Sequence, residues 1–266
     1  EMRAMEAGGH IEIQSHTCTH TWFPSGPAIV DYHRPAGVGG YSPQPWLSWN
    51  TVPEKKHEYM SRNFESDVPY GFPIYENRRA LSGRRYFPGG EAAAALTGHV
   101  KRNGGPAFFE RSGWRSELDA VGRGIPGTPG RMETDGEYED RVRGELVDSK
   151  RILEEGLCKR VDFLCWPGGG RNETTIRIAA ETGYLATTTH YQDRILRNRF
   201  GEPADRIARI GCCSPWVWKN RDVIKNTDAG FFIASLEDFA GARFSIWKMR
   251  RYKLKYLVRL RLTGKH

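Results

Sequence analysis

The run from Val161 to Thr189 most constrains what this chain can fold into. Val161-Asp162-Phe163-Leu164-Cys165-Trp166 reads as a strand that enters the turn Pro167-Gly168-Gly169-Gly170. A helix over Glu173–Thr182 follows, with Ile176, Ala179 and Ala180 on one face; Gly183 stops it and Tyr184–Thr189 is β-rich again. Strand, turn, helix and strand in so short a span make a βαβ unit, and such a crossover requires parallel strands. The same grammar occurs twice upstream. A helix over residues 2–7, the stop Gly8-Gly9 and an alternating strand over 11–15 come first. A helix over Glu137–Glu155 comes later, with Val142, Leu146, Ser149 and Leu153 at helical spacing and Gly156 closing it before the Val161 strand. Alternating elements of this kind predict an α/β fold, either a barrel or an open sheet.

In parallel α/β folds, sites gather at the carboxyl ends of strands. Two segments here stand at such ends. One is Ser15-His16-Thr17-Cys18-Thr19-His20, where a helical first turn would project His16 and His20 to the same side. Two converging imidazoles bind a divalent transition metal. The other is Trp166-Pro167-Gly168-Gly169, whose glycines let main-chain N–H groups approach a ligand closely.

The 266 residues are enough for one substantial core with one large excursion. Residues 24–90 are rich in proline, glycine and aromatics with little periodicity, and read as a long loop region. Within it, Asp67-Val68-Pro69-Tyr70-Gly71-Phe72-Pro73 is either a groove wall or a rigid turn. A helix is expected over Glu91–Arg102, a short buried strand at Ala107-Phe108-Phe109, a short helix over Trp114–Val121 and a loop from Gly122 to Gly130. Trp216 and Trp218 are expected to cover the core, and Phe231–Phe239 and Ser245–Leu262 to be helical.

The net charge of +8 favours acidic partners or reflects an ordinary basic surface. No recognition helix or RNA-binding signature accompanies it, so nucleic acid is not an expected partner. The basic tail over 245–266 interleaves apolar residues, and reads either as a helix face packed on the body or as a contact for an anionic membrane surface. No run of 18 apolar residues is present. The five cysteines form no C-x-x-C pair and imply neither a disulfide scaffold nor a cysteine zinc site, and vicinal Cys212-Cys213 receives no role.

The segment Ala7-Gly8-Gly9-His10-Ile11-Glu12-Ile13-Gln14-Ser15-His16-Thr17-Cys18-Thr19-His20 resembles the second motif of NodB-homology polysaccharide deacetylases, carbohydrate esterase family four. Phe163-Leu164-Cys165-Trp166-Pro167-Gly168-Gly169 is similar to the third motif, and Glu173–Thr189 to the helix, Gly-Tyr and strand that follow it. The resemblance covers residues 1–20 and about 137–211. It implies a distorted (β/α) barrel in a single domain over 1–266, with an insert at about 24–136 that shapes the substrate groove. It implies a zinc-type ion held by His16, His20 and an aspartate, and hydrolysis of acetyl groups from an N- or O-acetylated polysaccharide. Gly168 would supply an oxyanion N–H, and Trp166, Pro167 and Gly169 would border the sugar. A buried strand-end role competes for Trp166. An extracytoplasmic or cell-surface location is implied as well.

The chain departs from that pattern in three places. The family's Asp-Asp pair, source of the base and third ligand, lies upstream of the His pair and is not found here, which leads us to expect a chain lacking its first strand. Cys165 stands where some members carry arginine. A late Leu-x-His general acid is not identifiable, and His190 is a weak stand-in. A non-catalytic carbohydrate-binding pseudo-enzyme is therefore the alternative reading.

Overall fold

The computed structural model describes residues 1–9, 11–51, 68–125, 130–189, 201, 203–208, 216–218, 221–224, 229–239 and 242–262. It divides into two compact units, Glu1–Leu185 and Ala186–His266, in a mixed α/β arrangement.

The first unit opens with α1 (Met2–Ala7), followed by an extended segment that reaches Ser15. The expected strand over 11–15 is reduced to one parallel bridge, Ser15 against Leu164 of β5 (Phe163–Cys165). The reason is visible in the hydrogen bonds: Ile13 N–H donates to the Glu6 carboxylate, and Phe163 N–H takes the Gln14 side chain. Side chains thus replace rungs of a ladder. Helix α5 (Asp135–Leu157) backs this pair. Thr134 and Glu137 form a capping box at its start, and the buried faces of Tyr138, Val142, Leu146 and Ser149 follow the helical period. Gly156 does not end it, as the sequence suggests. It stays inside the helix, and Cys158 caps it with φ at 58°. After β5, a 3-10 turn at Pro167–Gly169 leads to α6 (Glu173–Glu181), capped by the Asn172–Thr175 box. The core here is Leu81, Tyr138, Val142, Leu146, Val161, Leu164, Trp166, Ile178 and Tyr184 with their neighbours.

The long loop region expected at 24–90 contains regular elements. β1 (Trp22–Tyr32) and β2 (Pro73–Arg79) form an antiparallel pair from Trp22↔Arg79 to Tyr32↔Pro73. Its prolines hid it, because a proline removes a ladder donor and is tolerated only at edges and bulges. The register breaks between Pro24 and Ile29, which takes Pro27 out of regular pairing, and a Cβ on Gly26 would meet the Glu76 side chain. α2 (Pro45–Thr51), α3 (Gly90–Arg102) and α4 (Trp114–Arg123) complete the insert, with the short pair β3 (Tyr86–Phe87) and β4 (Arg131–Met132). Phe108 and Phe109 are buried as expected, but in a 3-10 helix and not a strand, since Gly104 and Gly105 at positive φ and Pro106 turn the chain too tightly. The insert owns two cores, one of Tyr32, Leu96, Val100, Phe108, Phe109 and Leu118, the other of Tyr41, Leu47, Val68 and Ile74.

In the second unit, β6 (Ala186–Thr189) pairs in parallel with β7 (Ile207–Ala208), and β8 (Trp216–Trp218) antiparallel with β9 (Arg221–Ile224). α7 (Ala229–Phe239) and α8 (Ser245–Leu262) pack on each other through Phe231 against Tyr252 and Lys248 to Glu237. In α8, Tyr252 packs on Phe231 of α7, while Trp247, Leu254 and Leu262 stand exposed among the basic residues. Asp67, His190 and Cys212-Cys213 lie outside the described residues, as do the side chains of Trp216 and Trp218.

Candidate metal centre

Ser15 is the anchor of the site. It is fully buried, donates its N–H to Phe163 and accepts from Cys165 N–H, which locks the chain to β5 immediately before His16. Its hydroxyl donates to Ser149 Oγ at 3.0 Å, and Ser149 and Tyr184 both reach the Leu146 carbonyl. Burial pushes the Tyr184 phenol up, so it serves as a neutral donor beneath the site.

Beyond Ser15 the chain makes no helical turn. Thr17 and His20 sit at positive φ, 63° and 40°, and the loop closes by backbone shape. Glu145 on α5 explains how this is held: its Oε2 accepts N–H bonds from Cys18 at 2.9 Å and Thr19 at 3.1 Å. The expected convergence of the pair survives the changed geometry. The rings of His16 and His20 lie 4.9 Å apart, tilted by 48°.

His16 Nδ1 is 2.7 Å from the Cys165 carbonyl. A carbonyl only accepts, so Nδ1 carries the hydrogen and Nε2 bears the lone pair. Ligating histidines are commonly oriented in this way by a carbonyl behind them. The donor set suits a zinc-type ion as far as it goes, two imidazoles with converging rings. Among the described residues no group of three His, Cys, Asp or Glu could hold a metal.

The glycine turn begins two residues after that carbonyl. Gly168 and Gly169 take positive φ, 55° and 73°. Gly169 N–H donates to Trp166 and Gly170 N–H to Pro167, and among the described residues Gly168 N–H is in no such bond. Arg79, at the end of β2, lies over this turn. A Cβ on Gly168 would meet its Nε at 2.7 Å, and one on Gly170 would meet its Cβ at 2.6 Å. Among the described residues the buried Arg79 Nε has no hydrogen-bond partner, and its guanidinium stands 5.4 Å from the Trp22 ring. Arg79 is also paired in register with Trp22, two residues past His20. Arg79 and Glu145 are residues that sequence reading missed, because each meets its partner only through tertiary packing; Ser149 was read as part of the buried helix face, not as a partner of Ser15.

Trp166 is wholly buried in the core, the place that the strand-end packing role gives it. Pro167 is buried too, while Gly168 and Gly169 remain partly open.

No family model and no curated protein matches the chain. Among solved structures it is similar to the BpsB deacetylase domain from Bordetella bronchiseptica, with 19% identity and a TM-score of 0.40 over 78% of this chain and 46% of that one. It is also similar to a de-N-acetylase from Aggregatibacter actinomycetemcomitans, with 15% identity and a TM-score of 0.39 over 90% of this chain and 51% of that one. The chain thus spans about half the length of each solved structure.

Proposed function

We propose that the chain is a deacetylase-type hydrolase of the NodB-homology kind, built on a distorted (β/α) barrel and acting on an acetylated polysaccharide outside the cytoplasm. The observation that supports this reading is the His16–Cys165 carbonyl bond, which leaves Nε2 as the nitrogen available to a metal, with a second imidazole ring 4.9 Å away. His16 and His20 would hold the metal. A divalent ion such as zinc, when bound, polarises an acetyl carbonyl and lowers the barrier to attack by water. Gly168 N–H, which makes no backbone bond among the described residues, would donate to the oxygen that gains charge in that attack. Arg79 lies over the turn and would add positive charge beside the developing anion. Among the described residues no third ligand joins His16 and His20, and this keeps a non-catalytic, carbohydrate-binding reading as the second one.

Zinc titration by calorimetry tests the site. His16→Ala and His20→Ala should each weaken binding by at least about tenfold, the effect of losing one ligand interaction of about 1.4 kcal/mol. Unchanged affinity in either variant defeats the assignment. Release of acetate from an acetylated glycan by the zinc-loaded chain separates the two readings, since the second predicts none.

A further inference from the structure

Helix α8 carries two apolar faces. One packs on α7: Tyr252 sits against Phe231, and Ser245, on the same side, is buried. On the opposite side Trp247, Leu254 and Val258 are 66%, 63% and 48% exposed. At 3.6 residues per turn these three lie within about 40° of one another and form a strip roughly 16 Å long. Leu262, exposed as well, extends it at the helix end. A single exposed apolar residue is ordinary, but several in one line along a helix mark a contact surface. Cations edge the strip. By helical position Arg250 and Arg261 stand on one side, Arg251 and Lys255 on the other, and all four are exposed. Arg250 lies 5.4 Å from the Trp247 ring. In all, α8 has seven lysines and arginines and no acidic residue. Beside the strip, α7 and α8 border a cleft of about 570 Å³ whose lining includes Ile233, Lys248, Arg251 and Lys255. Glu237, its acidic lining residue, already holds Lys248 at 2.7 Å, which leaves Arg251 and Lys255 to meet an anion. An apolar strip between two rows of long cationic side chains matches a lipid–water boundary, where the strip enters the acyl edge and the stems of arginine and lysine reach the phosphates. Other occupants fit less well. A second copy of α8 would bring seven more positive charges against these. Nucleic acid would meet the cations and leave Leu254 and Val258 unburied.

We infer that α8 is a binding surface for an anionic phospholipid membrane, with Trp247, Leu254 and Val258 inserted at the acyl edge and the flanking arginines and Lys255 on headgroup phosphates. Co-sedimentation of the intact protein with vesicles tests it, using phosphatidylcholine alone, phosphatidylcholine with phosphatidylglycerol, and the same mixture with brominated acyl chains. Binding should require phosphatidylglycerol and weaken as salt rises. Brominated lipid should quench a component of the tryptophan emission, and Trp247→Phe should abolish that quenching. Trp247→Ala should weaken vesicle binding about tenfold, the loss of one large apolar side chain from the boundary. Changing Arg250→Gln and Arg251→Gln together should weaken it about 25-fold, at about fivefold per charge. All three side chains are exposed, so circular dichroism should match the wild type. If Trp247→Ala does not fold, the arginine pair and the quenching decide the matter. The lipid assignment fails if anionic vesicles do not bind, if neutral ones bind equally well, if the folded variants bind as the wild type does, or if Trp247→Phe leaves the quenching unchanged. It fails as well if the protein prefers duplex DNA to anionic vesicles, or if the strip joins two copies of the chain, seen as a dimer in sedimentation that Trp247→Ala dissociates.

Discussion

Gly168 carries more constraint than any other residue of the site. Its φ of 55° disfavours a side chain, and a Cβ there would strike Arg79 Nε. Gly168→Ala should therefore destabilise the protein by about 1–3 kcal/mol, the range for a non-glycine residue held in the left-handed region. Thermal unfolding measures it. In an Arg79→Ala background the same change should cost less, because only the backbone strain remains; equal costs would show that the contact with Arg79 is without energetic weight. The left-handed region also marks a limit of legibility. Glycines at 168, 169 and 183 announce it, and the turn and the helix stop were readable for that reason. Thr17, His20 and Cys158 adopt it with no such signal, so the loop shape and the end of α5 were not.

At the scale of elements, α5 was legible because its buried face repeats every three or four residues. The hairpin of β1 and β2 was not, since bulges and prolines erase the alternation on which strand reading depends. That hairpin and α5 jointly hold the histidine loop, one by continuing from it and the other through Glu145. Removing the carboxylate frees two N–H groups at Cys18 and Thr19. Glu145→Ala should weaken zinc binding several-fold through His20, with helix content by circular dichroism unchanged. Glu145→Gln, which keeps one acceptor oxygen, should recover part of the loss. A variant with wild-type zinc affinity would mean that the loop holds its shape without the clamp.

Across the whole molecule, carboxylates tie distant segments together and set the acid limit of the fold. Burial pushes the Glu133 carboxyl up, but the two-bond contact with Arg141 and the Arg85 N–H outweigh it and leave it below the ordinary value of 4.5. Arg141 in turn reaches the carbonyls of Ala80 and Gly83, so this pair joins α5 to the end of the hairpin. Arg131, with the Thr134 N–H, pulls Glu137 to about 2, and bonds from Lys159 and Ile13 lower Glu6. A carboxyl with a depressed folded value stabilises the fold above its unfolded value and ceases to do so as pH falls through the folded one. Stability should thus be level above about pH 5 and decline from about pH 4.5 toward about pH 2. Urea midpoints across that range check the sign. Glu133→Gln should flatten part of the slope, and an unchanged slope would place the acid sensitivity elsewhere.

The contact between Arg79 and the glycine turn also orders how such a sequence can drift. Positions 168 and 170 are closed to any larger residue while arginine stands at 79, because its side chain fills the space each Cβ would need. Shortening residue 79 would open position 168 to substitution, at the price of backbone strain. Position 170 would stay closed, since the obstacle there is the Cβ that every residue but glycine carries. The turn can therefore change only after the hairpin has changed, and two stretches far apart in the chain are bound to a single order of substitution.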